Sequence, residues 1–167
     1  MSALVTAKDL QRQDALAEAA QAYEAAFDGE RDSLSLSDYL EAALLYFVCT
    51  DFGYSSCKNL SEEFARASYA RAKTWLERAL HEFGRHPEIR FWELYFDFVV
   101  LGEPPFAEEC RQLVESGETL IPYFYLYSST RDLAYKAKAE AIYTLNRKGE
   151  TAKQRYMASV LAPLLRT

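Results

Sequence analysis

The sequence predicts an all-α fold, and three observations carry that expectation. Apolar residues recur three and four apart along most of the chain, the spacing of one face of a helix. The six glycines fall near the ends of these periodic stretches, where a left-handed residue can stop a helix. Between them no alternating strand pattern with hairpin-turn chemistry occurs. Half of the 167 residues are hydrophobic and only five are proline, which favours long regular elements over loops.

Taken in order, the pattern predicts helices at about 3–12, 14–28, 36–52, 61–83, 87–101, 104–116, 119–128, 131–148 and 150–162. The stretch 61–83 shows the logic. Phe64, Ala65, Ser68, Ala72, Trp75, Leu76, Ala79, Leu80 and Phe83 make one stripe. Ser61 is placed to cap the first amides, and Glu62 and Glu63 sit where the helix dipole favours acids. Gly29, Gly53, Gly84, Gly102, Gly117 and Gly149 are read as helix ends, with Pro87, Pro104 and Pro105 as stop signals behind two of them. Pro122 fits only the first turn of its helix, where a missing N–H costs little. The segment Tyr54 to Leu60 reads as the longest linker, polar and exposed.

The length suits one domain over 1–167, repeat-like over 1–117 and basic in its C-terminal helices over 118–167. The net charge of −6 is unevenly spread. Residues 1–60 carry −6 and residues 61–118 carry −5, whereas residues 119–167 carry +5. An acidic body repels nucleic-acid and membrane phosphates and attracts basic partners. The start of the chain lacks a basic region followed by an apolar run, and the most apolar stretch, Ala42 to Thr50, is far shorter than the roughly 18 residues of a membrane span. A cytoplasmic protein bound to neither membrane nor nucleic acid is expected. Cys49, Cys57 and Cys110 are odd in number and lack CxxC spacing, as reduced thiols would be.

One internal motif recurs: a small residue, a large one four later, and a small or polar one three further on. It reads Ala19-Tyr23-Ala26, Ala72-Leu76-Ala79, Cys110-Val114-Gly117 and, more weakly, Ala139-Tyr143-Asn146. Small side chains let neighbouring helices approach, and the large one fills the gap a turn along. The segments Asp14 to Phe27 and Ala70 to Leu80 resemble the second helix of tetratricopeptide repeats, and Trp92-Glu93-Leu94-Tyr95 resembles the aromatic start of a first helix. The resemblance implies a TPR-like, right-handed stack of antiparallel helix pairs, a short α-solenoid. The copies are offset by 53, 38 and 29 residues, where the family repeats at about 34. An irregular helical bundle packs by the same rules and is the alternative.

Residues suited to catalysis are few. His81 and His86 are five apart with Gly84 between them, so they do not form the four-residue HExxH metal spacing. The neighbours Glu62-Glu63 and Glu108-Glu109 point about 100° apart on a helix and converge on no single atom. No glycine-rich phosphate loop occurs. Neither cofactor nor metal is expected. The basic residues Lys136, Lys138, Arg147, Lys148, Lys153 and Arg155, interleaved with Tyr135, Tyr143 and Tyr156, would suit an RNA backbone, but the rest of the chain carries −11.

Two segments are candidate partner-binding sites. In 88–101 apolar residues cover most of the helix, and Arg90, Glu93 and Asp97 lie three and four apart on one narrow polar stripe. In TPR-like folds the inner helices line a concave groove, so the resemblance makes these three residues groove candidates. Tyr123, Phe124, Tyr125, Leu126 and Tyr127 cannot all face one core, so some must meet another helix, a partner or water; Tyr123, Tyr125 and Tyr127 join the candidates. The helix bearing Tyr39, Tyr46, Phe47 and Phe52 reads as core. The expected function is non-catalytic protein binding, as a cytosolic adaptor or chaperone or as a neutralising, immunity-type partner of another protein, which a basic effector would suit. The alternatives are a self-associating, homo-oligomeric structural subunit and a small helical hydrolase using His81 or His86 with Glu82.

Overall fold

In the computed structural model, which describes residues 2–166, the chain is all-helical, and no strand occurs among the described residues. The helices are α1 (Ala3–Arg12), α2 (Leu16–Glu30), α3 (Leu36–Val48), α4 (Phe52–Cys57), α5 (Glu62–Phe83), α6 (Pro87–Leu101), α7 (Ala107–Glu115), α8 (Pro122–Thr130), α9 (Lys136–Asn146) and α10 (Ala152–Leu165). Short 3₁₀ turns occupy Arg31–Ser33 and Leu133–Tyr135. The residues group into two compact units, Met1–Phe83 with Glu150–Lys153, and Gly84–Gly149 with Gln154–Thr167.

The helix boundaries follow from capping chemistry. Ser35 and Asp38 form a reciprocal capping box at the start of α3. Ser61 accepts the Phe64 amide at 3.1 Å and opens α5 as expected. His86 caps α6, its ring Nδ1 accepting the Glu88 amide at 3.1 Å, and Pro87 takes the first helical position. Gly102 closes α6 at φ +71°.

Three expectations need correction. Gly29 lies within the last turn of α2 and Gly53 within α4, so these two glycines do not end helices. The expected helix 36–52 stops at Val48, because Asp51 accepts the Tyr54 amide at 2.8 Å and starts α4, where a linker was expected. Ser55 secures the bend by donating to the Cys49 carbonyl at 2.7 Å. The helix expected from residue 14 begins at Leu16, since Asp14 takes φ +61° and turns the chain between α1 and α2.

In the first unit α1 packs against α2, and α3 against α5. Ala19, Tyr23 and Ala26 of α2 and Ala72, Leu76 and Ala79 of α5 are all fully buried, as small–large–small spacing requires for close helix approach. Trp75 takes edge-on contacts from Tyr23, Phe27 and Tyr39 with ring centres 5.6–6.1 Å apart. Tyr39, Tyr46 and Phe47 are core, whereas Phe52, at the start of α4, is exposed. In the second unit α7 packs against α8 and α8 against α9. Its core is aromatic: Phe91, Trp92 and Tyr95 of α6 meet Phe106, Phe124 and Tyr125, and the buried Phe96 lies against Trp92. The third triad keeps only Cys110 fully buried, and the fourth only Ala139.

Candidate partner-binding surface

Helix α6 turns Ile89, Phe91, Trp92, Tyr95 and Phe96 inward. Its polar stripe then runs along the other side. Arg90 is exposed and pairs with Glu93 at 3.3 Å, and Glu93 and Asp97 are half-buried. The stripe therefore presents one cation with two carboxylates behind it. The Asp97 carbonyl also accepts the Glu103 amide at 3.4 Å, so the last turn that carries the stripe is fixed at its end.

The tyrosine segment divides. Tyr125 is buried and stacks on Phe106 with ring centres 4.0 Å apart. Tyr127 is buried and donates its hydroxyl to the Leu164 carbonyl at 3.3 Å. Both belong to the core of the second unit and offer no surface to a partner. Tyr123 is half-buried, with its ring 5.9 Å from that of Tyr135. The constraint that five large neighbours cannot share one core is met by contacts with other helices.

The residues weighed for chemistry are engaged in local structure. His81 is exposed, with Nδ1 3.3 Å from Arg31, and Glu82 accepts from the same guanidinium at 2.9 Å. His86 is the α6 cap, so it belongs to a helix start and not, like His81, to a helix end. Its Nε2 lies 3.9 Å from Glu118. Among the described residues no group of three His, Cys, Asp or Glu side chains could hold a metal ion. Cys49 and Cys110 are buried thiols, both pushed up to about 12 by burial, and Cys57 is exposed.

Two polar arrangements in the first unit escape a reading by periodicity. Glu24 gathers the Trp75 indole N–H at 3.0 Å, the Arg78 guanidinium at 2.7 Å and the Tyr46 hydroxyl at 3.4 Å. Arg78 also lies over the Phe27 ring at 4.0 Å. Burial, followed by the Glu24 charge, pushes the Tyr46 phenol up to about 12. Gln11, fully buried, donates to Tyr23 at 2.7 Å and accepts the Ala152 amide at 2.7 Å. Tyr23 in turn donates to Glu41 at 3.3 Å. The signal for Gln11 was present: it follows Ala7 by four residues, on the stripe that α1 buries. No helix among the described residues is long and apolar enough to cross a membrane.

No family model, curated protein or solved structure matches this chain.

Proposed function

We propose that this chain is a non-catalytic protein-binding module whose helices pair in a TPR-like manner. The observation that carries the reading is the α6 stripe: a helix anchored by five buried apolar side chains that keeps Arg90, 58% exposed, ahead of the half-buried Glu93 and Asp97. A rigid helix bearing a short ordered row of charges suits recognition of a complementary segment, since little side-chain and backbone freedom remains to be lost on binding. Support for the TPR-like pairing comes from the buried Ala19-Tyr23-Ala26 and Ala72-Leu76-Ala79 triads.

The module would serve as an adaptor or chaperone, or as the neutralising partner of another protein. These uses separate on whether the bound protein loses its own activity. The test is affinity capture from the native cell with the full chain, comparing wild type with Arg90→Glu. A partner retained by wild type and depleted about tenfold or more by the variant is expected, equivalent to about 1.4 kcal/mol. Equal recovery by the two proteins, or a hydrolytic activity abolished by His86→Ala, would overturn the reading.

A further inference from the structure

The bases of this chain fall into two kinds. Through the first 118 residues many are ion-paired: Lys8 meets Asp38 at 2.6 Å, Arg31 meets Glu82 at 2.9 Å, Arg78 meets Glu24 at 2.7 Å and Arg111 meets Glu108 at 2.8 Å. Lys136, Lys138, Arg147 and Lys148 have no acid within ion-pairing distance among the described residues. Lys136 and Lys138 stand at the start of α9, which runs on from the 3₁₀ turn that Asp132 caps.

The same segment exposes apolar surface. Leu133, in the 3₁₀ turn before α9, is 76% exposed, and Leu145, near the end of α9, is 70% exposed, more than the other exposed large apolar side chains. Helix α9 docks through Ala139 and Ile142. Lys138, Ala141 and Leu145 recur three and four apart, so they share one outward stripe. Arg147 and Lys148 carry positive charge past its end. Residues 131–148 hold five bases and two acids, and one of those acids, Asp132, is used in accepting the Ala134 amide at 2.9 Å.

Resting on the protein-binding reading above, we infer that the exposed stripe of α9 carrying Lys138, Ala141 and Leu145, with Leu145 as its apolar anchor and Arg147 and Lys148 as positive charge past its end, docks an acidic amphipathic helix of a partner protein. Charge complementarity selects the occupant. A leucine gains by burial against an apolar stripe, and unpaired cations gain by meeting carboxylates beside it. A nucleic-acid backbone would use the cations and leave Leu145 in water.

The test uses the full chain and two synthetic helical peptides with leucines at i, i+3, i+4 and i+7, the remaining positions glutamate-rich in one and lysine-rich in the other. Binding is read by fluorescence anisotropy of the labelled peptide. The acidic peptide binds and the basic one does not, and raising the salt weakens binding. Leu145→Glu and Lys138→Glu each weaken it about tenfold or more, whereas Phe52→Glu, an exposed site on α4, leaves it unchanged. No binding of the acidic peptide, or equal binding by Leu145→Glu, overturns the inference. So does tighter association with phosphatidylserine vesicles or with single-stranded RNA than with the peptide, or a dimer in light scattering that Leu145→Glu dissolves. Capture of a partner through Arg90 survives each of these failures, so the two readings fall separately.

Discussion

Replacing Glu24 tests whether one carboxylate holds α2, α3 and α5 together. The Trp75 indole is fully buried, and its N–H donates to Glu24 at 3.0 Å. A hydrogen bond to a charged group contributes about 1.5–3 kcal/mol, and a buried donor left without a partner costs about 1–3 kcal/mol. The Arg78 pair adds less, because that side chain is 24% exposed and solvent screens it; about 0.5 kcal/mol is a fair allowance. Glu24→Ala is therefore expected to destabilise by about 2–4 kcal/mol. Glu24→Gln keeps an acceptor oxygen for the indole and is expected to cost about 1–2 kcal/mol. Urea unfolding followed by far-ultraviolet circular dichroism measures both, with an unchanged slope against denaturant showing that stability alone has altered. A loss below about 0.5 kcal/mol in Glu24→Ala would refute the claim that this carboxylate satisfies the buried indole.

Tyr23→Ala and Leu76→Ala, both truncations at fully buried positions, are each expected to lose about 2–5 kcal/mol in the same assay, and losses under 1 kcal/mol would contradict their place in the core. Arg90→Glu is expected to alter stability by no more than about 1 kcal/mol, because the Arg90 side of its ion pair is exposed to solvent; a collapse in melting temperature would mean that the pair is structural. Burial raises the Glu41 carboxyl above its ordinary value, against the pull of Lys8 and Lys153. The folded state therefore favours the protonated form. That contribution is present below the ordinary carboxylate pKa and is lost as pH rises through the raised one. Glu41→Gln should then gain on wild type between pH 4 and pH 7, and a constant difference across that range would contradict the assignment. Asp38 runs the other way: burial raises it, but hydrogen bonds from Lys8 and Ser35 outweigh this and hold it low, so its contribution is lost as acid titrates through the depressed value. Asp38→Asn should flatten that acid limb of the stability profile.

What could be read from the residues alone was whatever depends on local spacing. Helix α6 runs from Pro87 to Leu101 as expected, because its proline start and glycine stop are both local devices. The burial of Tyr23 and Leu76 followed from a seven-residue pattern. Features that depend on distant neighbours were not legible. Gln11 meets Ala152 across 141 positions, and Glu24 meets Arg78 across 54. The break before α4 was hidden because the apolar stretch runs on to Thr50, past the end of α3 at Val48, and the new start rests on the capping oxygen of Asp51. Within 123–127, periodicity could not tell Tyr123 from Tyr125, since each faces a different neighbour chosen by tertiary packing.

The burial of Cys49 and Cys110 has a practical consequence. A maleimide attacks the thiolate, and at neutral pH a buried thiol held near 12 is almost wholly protonated as well as shielded. Folded protein should accept a single tag, at Cys57, and unfolded protein should accept three. The mass added by the reagent thus reports the fraction folded in any mixture, with no optical probe and no added cysteine.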